Sequence, residues 1–252
     1  MIKVVVPVSG GKDSQACLKL AIQEHGVAHV RGLFCDTQFE HPLTYKHVDW
    51  MREHYNVQID VRCGGNVLDE VIRNKRFPSD VARFCTDKLK IRETKLYIAE
   101  LARQQGGFEV WYGMRSEESA AREKRYAGKV GDEIYAPNDV MKNYPKYLEK
   151  MGVMFRLSII DWAEQDVFEF LNGEENPLYA MGFGRVGCFP CLAGGDGWKR
   201  VAFNFDDFGR EQHRKVIKIE QEIGKSVFKS IQSKQNDLAH EPGSNGCLFC
   251  AI

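Results

Sequence analysis

Along the first 175 positions, short apolar runs alternate with stretches in which apolar residues recur every three or four places. Residues 2–8 form one such run and end at Ser9-Gly10-Gly11, the pattern of a buried strand leaving for a turn. Over residues 13–24, Ala16, Cys17, Leu20 and Ala21 recur at helical spacing, and His25-Gly26 provides the stop. The same reasoning predicts a strand at 27–34, a helix at 41–55, a strand at 57–61, a long helix at 86–103 ended by Gly106-Gly107, strands at 109–112 and 154–160, and a helix at 164–171. Strand and helix in alternation predict an α/β fold. The expected form is a doubly wound, mostly parallel sheet, covered on both faces, with ligands at the carboxyl ends of its strands.

The pattern changes after Asn176. Residues 177–197 hold many glycines, two prolines and a cysteine pair; residues 210–223 look like a polar helix; residues 242–252 are loop-like and carry a second cysteine pair. A division into residues 1–176 and a cysteine-rich segment, 177–252, is therefore expected.

Composition narrows the class. The 252 residues are 43% hydrophobic and 28% charged, as in soluble globular proteins. No apolar run approaches the roughly 18 residues of a membrane span, and the first residues lack the basic start and long apolar stretch of a signal peptide. A cytoplasmic protein without a membrane partner is expected. Thirty-five basic residues balance 35 acidic ones, which removes any global argument for polyanion binding. Locally, residues 73–95 hold eight lysines or arginines against three acids, either a solvated face or an anion-binding surface. Eight cysteines in a reducing compartment are expected to be metal ligands, reactive thiols or core residues rather than disulfides.

Ser9-Gly10-Gly11-Lys12-Asp13-Ser14 lies between a predicted strand and a predicted helix, where glycines let backbone N–H groups approach an anion and the helix N-terminus adds its positive end. Lys12 supplies a point charge, Ser9 and Ser14 supply hydroxyl donors, and Asp13 can hold magnesium or cap the helix. The Walker spacing is absent, which disfavours kinase-like γ-phosphate transfer. The string resembles the pyrophosphate loop of the adenine nucleotide α-hydrolase superfamily, whose members usually cleave ATP between the α and β phosphates.

Further along, Phe34-Cys35-Asp36-Thr37 with Glu40-His41-Pro42 resembles the Asp-Thr-Gly-x-x-x-Pro region of the phosphoadenosine phosphosulfate (PAPS) reductase family, with Gln38 in place of the glycine. That resemblance sets Asp36 near the nucleotide. Gly113-Met114-Arg115-Ser116-Glu117-Glu118-Ser119 with Arg122 is similar to the family's Gly-x-Arg-x-Asp-Glu-x-x-x-Arg, which implies that Arg115 points at phosphate or sulfate. His41 is expected in a turn or at the surface.

Cys188-Phe189-Pro190-Cys191 and Cys247-Leu248-Phe249-Cys250 are two Cys-x-x-Cys pairs, each able to bind one metal or cluster. By spacing alone they suit zinc as well as a [4Fe-4S] cluster, although their separation exceeds the usual zinc spacing. Arg83 to Lys90, containing Cys85, is similar to the segment that supplies cluster ligands in adenylyl sulfate (APS) reductases, and Asn176-Pro177-Leu178 through Cys191 and Trp198 resembles those enzymes closely. The resemblance covers about residues 2–200 and implies a [4Fe-4S] cluster on Cys85, Cys188, Cys191 and one tail cysteine. It departs in three places: Phe84 replaces the first cysteine of the adjacent pair, the tail lacks Cys-Gly-Leu-His, and the phosphate loop is intact. Cys247 follows Gly246 on the more anchored side and is assigned as ligand. Cys250, near the end of the sequence where fraying is cheap, is assigned as the reactive thiol. Cys17 and Cys35 are expected in the core.

The resemblance implies an ATP-dependent adenylating enzyme working in sulfur chemistry. Ser9, Gly10, Gly11, Lys12 and Ser14 would hold phosphates, Asp13 or Asp36 would help to hold Mg2+, and Lys12 and Arg115 would neutralise the leaving pyrophosphate. A tRNA or DNA acceptor, or a thiol reductant, is the partner class; oligomeric state is silent. A sulfonucleotide reductase producing sulfite and a zinc-stapled, non-catalytic nucleotide-binding module are the alternatives.

Overall fold

The computed structural model describes residues 1–142 and 144–229. Cys247 and Cys250 lie outside the described residues.

Six strands form one sheet in the order β3-β2-β1-β4-β6-β5: β1 Val4–Val8, β2 Val30–Asp36, β3 Ile59–Cys63, β4 Glu109–Trp111, β5 Ile134–Tyr135 and β6 Met154–Arg156. All pairings are parallel except β5 with β6. Strand β1 is buried throughout because helices cover both its faces. Val5 joins Leu33, Ile98, Val110 and Phe155 on one side. Val4, Val6 and Val8 join Cys17, Leu18 and Met51 on the other. Cys17 and Cys35 are core residues, as expected, and burial pushes the Cys17 thiol up to about 12.

The order reverses at β1, with β2 on one side and β4 on the other, which is the switch point where open α/β sheets bind ligands. Pairing of β1 with β4 stops at Val5↔Val110, two residues before Pro7, which has no N–H to continue a ladder. Beyond that point the two strands diverge into the loops that build the site.

Helix α1 spans Lys12–His25, α2 Pro42–His54 and α3 Val67–Asn74. Three expectations are corrected. The helix expected at 86–103 contains a π turn, Asp87–Ile91, before Arg92–Gln105, a form that clusters at functional sites. The strand expected at 154–160 ends at Arg156, since residues 157–162 turn through the Ile160 N–H to Leu157 and Trp162 N–H to Ile159 bonds. His41 is buried; its Nδ1 accepts from the Leu43 N–H as the N-cap of α2, and its Nε2 meets Asp206 Oδ2 at 2.9 Å. Helices Asp196–Phe205 and Asp207–Ile223 pack Phe203, Val216 and Ile219 onto α3 and Leu89. Residues 196–223 are thereby packed against the helices beside the sheet.

Candidate functional site

The phosphate loop turns tightly because Gly10 has φ +78°, and a Cβ there would lie 2.5 Å from Thr44 Cγ2. Ser14 Oγ ties the turn together: it accepts from the Ser9 N–H at 3.0 Å, donates to Gly11 O at 3.0 Å, and lies 3.2 Å from Ser9 Oγ. A second segment braces the loop from outside. Asn176 is fully buried; its Nδ2 donates to Gly10 O at 3.1 Å and its Oδ1 accepts from the Leu178 N–H at 3.1 Å. The Tyr179 hydroxyl accepts from the Lys12 N–H at 3.0 Å.

Two cations converge here from distant elements. Lys12 Nζ lies 2.8 Å from Glu164 Oε1 and 3.6 Å from Asp13 Oδ2. Arg115, from the loop after β4, places Nε 2.6 Å from Asp13 Oδ1 and Nη1 2.9 Å from Glu117 Oε2. Glu117 also accepts from the Glu164 N–H at 2.8 Å, so the charges form a closed ring. Both cations are nearly buried, whereas Glu164 is 55% exposed. Burial pulls the Lys12 pKa down, but Tyr179, Asp13 and Glu164 outweigh it and hold the ammonium above the ordinary lysine value. Protein carboxylates occupy the positions around these cations that phosphate oxygens suit chemically.

A cavity of about 890 Å³ opens from the loop. Its wall includes Ser9, Gly11, Lys12, Asp13, Ser14 and Arg115 together with Cys85, Cys188 and Cys191. These sequence-predicted residues are therefore brought together. Gly10 stands behind them, its carbonyl held by Asn176. Asp36, at the end of β2, accepts from the Tyr45 hydroxyl and the Gln38 N–H, each at 2.7 Å, and is not among the lining residues. Of the acids on the wall, Asp13, Glu117 and Glu164 pair with Lys12 or Arg115 and Glu118 pairs with Arg122, while Arg83, Lys90 and Arg185 complete the charged lining. The basic stretch divides: Arg83 and Lys90 line the cavity, whereas Arg73 and Lys88 pair with Glu70.

Among the lining thiols, Cys188 lies 3.3 Å from Thr37 Oγ1 and 3.7 Å from Glu40 Oε1. Burial pushes its thiol up to about 12; Lys90 acts in the opposite sense, and Glu40 and Cys85 add to the rise. None of the six described cysteines forms a disulfide. Three thiols sharing one wall match the soft donor chemistry of iron–sulfur or zinc binding, with Lys90 present to balance thiolate charge. Among the described residues no three Cys, His, Asp or Glu side chains are gathered into a group that could hold a metal ion, and the fourth expected thiol lies outside them.

Sequence reasoning missed Tyr179, Glu164 and Thr37 as site residues. Their separations from the loop carry no local signal. The Asn-Pro-Leu string is visible in the sequence, but its bracing of Gly10 depends on a contact across 166 positions.

The family model for the phosphoadenosine phosphosulfate reductase domain matches residues 3–193. An uncharacterised protein of Methanocaldococcus jannaschii is 29% identical over 193 residues, covering 75% of this chain and 36% of that protein; the chain thus spans about a third of that relative's length. Among solved structures, the phosphoadenylyl-sulfate reductase of Candida auris in its phosphate complex is similar with a TM-score of 0.48 and 13% identity, over 75% of this chain and 83% of that one. The U34-tRNA thiolase NcsA of Methanococcus maripaludis, with its [4Fe-4S] cluster, gives a TM-score of 0.47 and 16% identity, over 100% of this chain and 80% of that one.

Proposed function

We propose that this chain, which belongs to the phosphoadenosine phosphosulfate reductase domain family, is an ATP-dependent adenylating enzyme that handles sulfur with the help of an iron–sulfur cluster. One observation carries it: an intact Ser-Gly-Gly-Lys-Asp-Ser loop, with two buried cations, opens into the same cavity as three thiols. Residues 1–176 hold the nucleotide and residues 177–252 supply most of the thiols.

Ser9, Ser14 and the loop N–H groups bind the β and γ phosphates of ATP, with Mg2+ held by Asp13. An acceptor oxygen attacks the α phosphorus, the bond to the β-phosphate oxygen breaks, and an adenylate forms as pyrophosphate leaves. Lys12 and Arg115 stabilise the charge growing on the pyrophosphate. Their burial makes that interaction stronger than it would be in water. Cys85, Cys188, Cys191 and Cys247 would hold the cluster, which supplies an iron centre for sulfur transfer when bound, leaving Cys250 as a reactive thiol. The acceptor belongs to tRNA or DNA.

The test is anaerobic purification followed by incubation with ATP, or with PAPS and a dithiol reductant. The expected protein is brown, carries about four irons per chain, and, given its acceptor and a sulfide donor, releases pyrophosphate as the adenylate forms and AMP as sulfur displaces it. Sulfite from PAPS would favour the reductase alternative; stoichiometric zinc in colourless protein prepared this way would favour the non-catalytic one.

Glu164 competes with phosphate for Lys12. Glu164→Gln is therefore expected to tighten ATP binding several-fold, as measured by calorimetry, because a neutral amide is a weaker partner for the ammonium. Weakened binding would mean that Glu164 assists the nucleotide rather than opposing it.

A further inference from the structure

Tyr179 is the residue of the bracing segment that touches the phosphate loop at its cation. Its hydroxyl accepts from the Lys12 N–H at 3.0 Å, and Lys12 Nζ lies 5.1 Å from the centroid of its ring. The approach is close because position 11 is glycine: a Cβ on Gly11 would stand 3.2 Å from the Tyr179 hydroxyl and 3.1 Å from Val186 O. The ring is fixed on its other side by Phe168, edge-on at 5.7 Å, and the segment is anchored by the two Asn176 bonds. Tyr179 lines the cavity together with Ser9, Lys12 and Ser14.

A phenol has one proton to give and lone pairs to accept with. Here a lone pair is engaged by the first N–H of α1, which polarises the O–H and strengthens it as a donor. Burial raises the phenol to about 12, so it keeps its proton at neutral pH. Beside it sit the ammonium of Lys12 and the N-terminus of a 14-residue helix, which favour an anion on the cavity side of the hydroxyl.

We propose that Tyr179 is a nucleotide-binding residue whose hydroxyl, held by the Lys12 N–H, donates its proton in a hydrogen bond to a β- or γ-phosphate oxygen. This rests on the loop binding ATP, as proposed above. It assigns to the bracing segment a direct part in reading the length of the phosphate chain.

Tyr179→Phe keeps the ring, its contact with Phe168 and its place beneath Lys12, and removes only the hydroxyl. Calorimetric titration of wild type and variant with ATP, inorganic pyrophosphate and AMP, each with magnesium, separates the outcomes. ATP and pyrophosphate should each bind about tenfold more weakly to the variant, the loss expected for a hydrogen bond to a charged group, while AMP stays within twofold. Equal losses for all three ligands would mean that the hydroxyl only supports the shape of the loop. No loss for any would mean that it does not meet the phosphates; either result overturns the proposal. A melting curve of each protein shows whether the variant is folded. Wild-type protein that binds none of the three would overturn the nucleotide assignment itself, and this proposal with it.

Discussion

Replacing Lys12 by alanine is expected to weaken ATP binding by about 2–3 kcal/mol, roughly 30- to 150-fold, with little change in the stability of the free protein. The asymmetry follows from the ring of charges. Lys12 is nearly buried and would be a main cation facing the phosphates, so its loss leaves them less well compensated than in water. In the free protein, by contrast, its partners have other company: Glu164 is 55% exposed and returns to solvent, while Asp13 keeps Arg115 at 2.6 Å. Calorimetry and thermal melting on the same preparation check both halves. Unchanged ATP affinity would remove the phosphate assignment of the loop.

Gly113→Ala should strongly disrupt the protein near the site. An added Cβ would lie 2.5 Å from the carbonyl oxygen of Asp13, 2.7 Å from its carbon and 2.8 Å from the Cα of Ser14. All three are backbone atoms of the first turn of α1, and no rotamer change relieves them. The end of β4 and the start of α1 must part, at a cost at or above the upper end of the usual overpacking range, about 3 kcal/mol. For a chain of this size that lowers the melting temperature by roughly 6–12 °C. ATP binding should fall as well, because Lys12, Asp13 and Ser14 are carried away from Arg115. Gly197→Ala is the control: nothing lies within 4 Å of its Cβ position, and its melting temperature should stay near the wild-type value. A Gly113→Ala protein that melts with wild type would show that β4 and the loop do not press on each other in this way.

Much of this architecture was legible along the chain for reasons of range. Residues 4–8 are apolar on both faces because the strand is buried on both faces, and the helix at 164–171 was placed to the residue. Both are local patterns of period, read within one element. The elements that escaped were those without a local reason to exist. Helix Asp196–Phe205 opens in a glycine-rich stretch and is held by packing of Phe203 in a cluster with Val216 and Leu89. Edge strand β5 has two residues and exists by pairing with β6. His41 was read as a turn or surface residue because its Asp206 partner is 165 positions away.

The candidate site divides along the same line. The sequence by itself determined the succession of glycines, lysine and hydroxyls over residues 9–14, a pattern suited to a backbone that wraps an anion, and it also determined which cysteines were candidates for a shared task, since Cys-x-x-Cys is a local spacing. Tertiary structure decided what surrounds them. It set Arg115 on Asp13, gave Lys12 to Glu164, hung Gly10 from Asn176, and put Cys85 on the same wall as Cys188 and Cys191. These are pairings across roughly 100 to 170 positions, created where β1 meets β4 and where residues 176–191 return to the loop after β1. Side-chain chemistry can be read from a chain one residue at a time; which charge neutralises which depends on distance in space, and only the folded sheet with its loops supplies that.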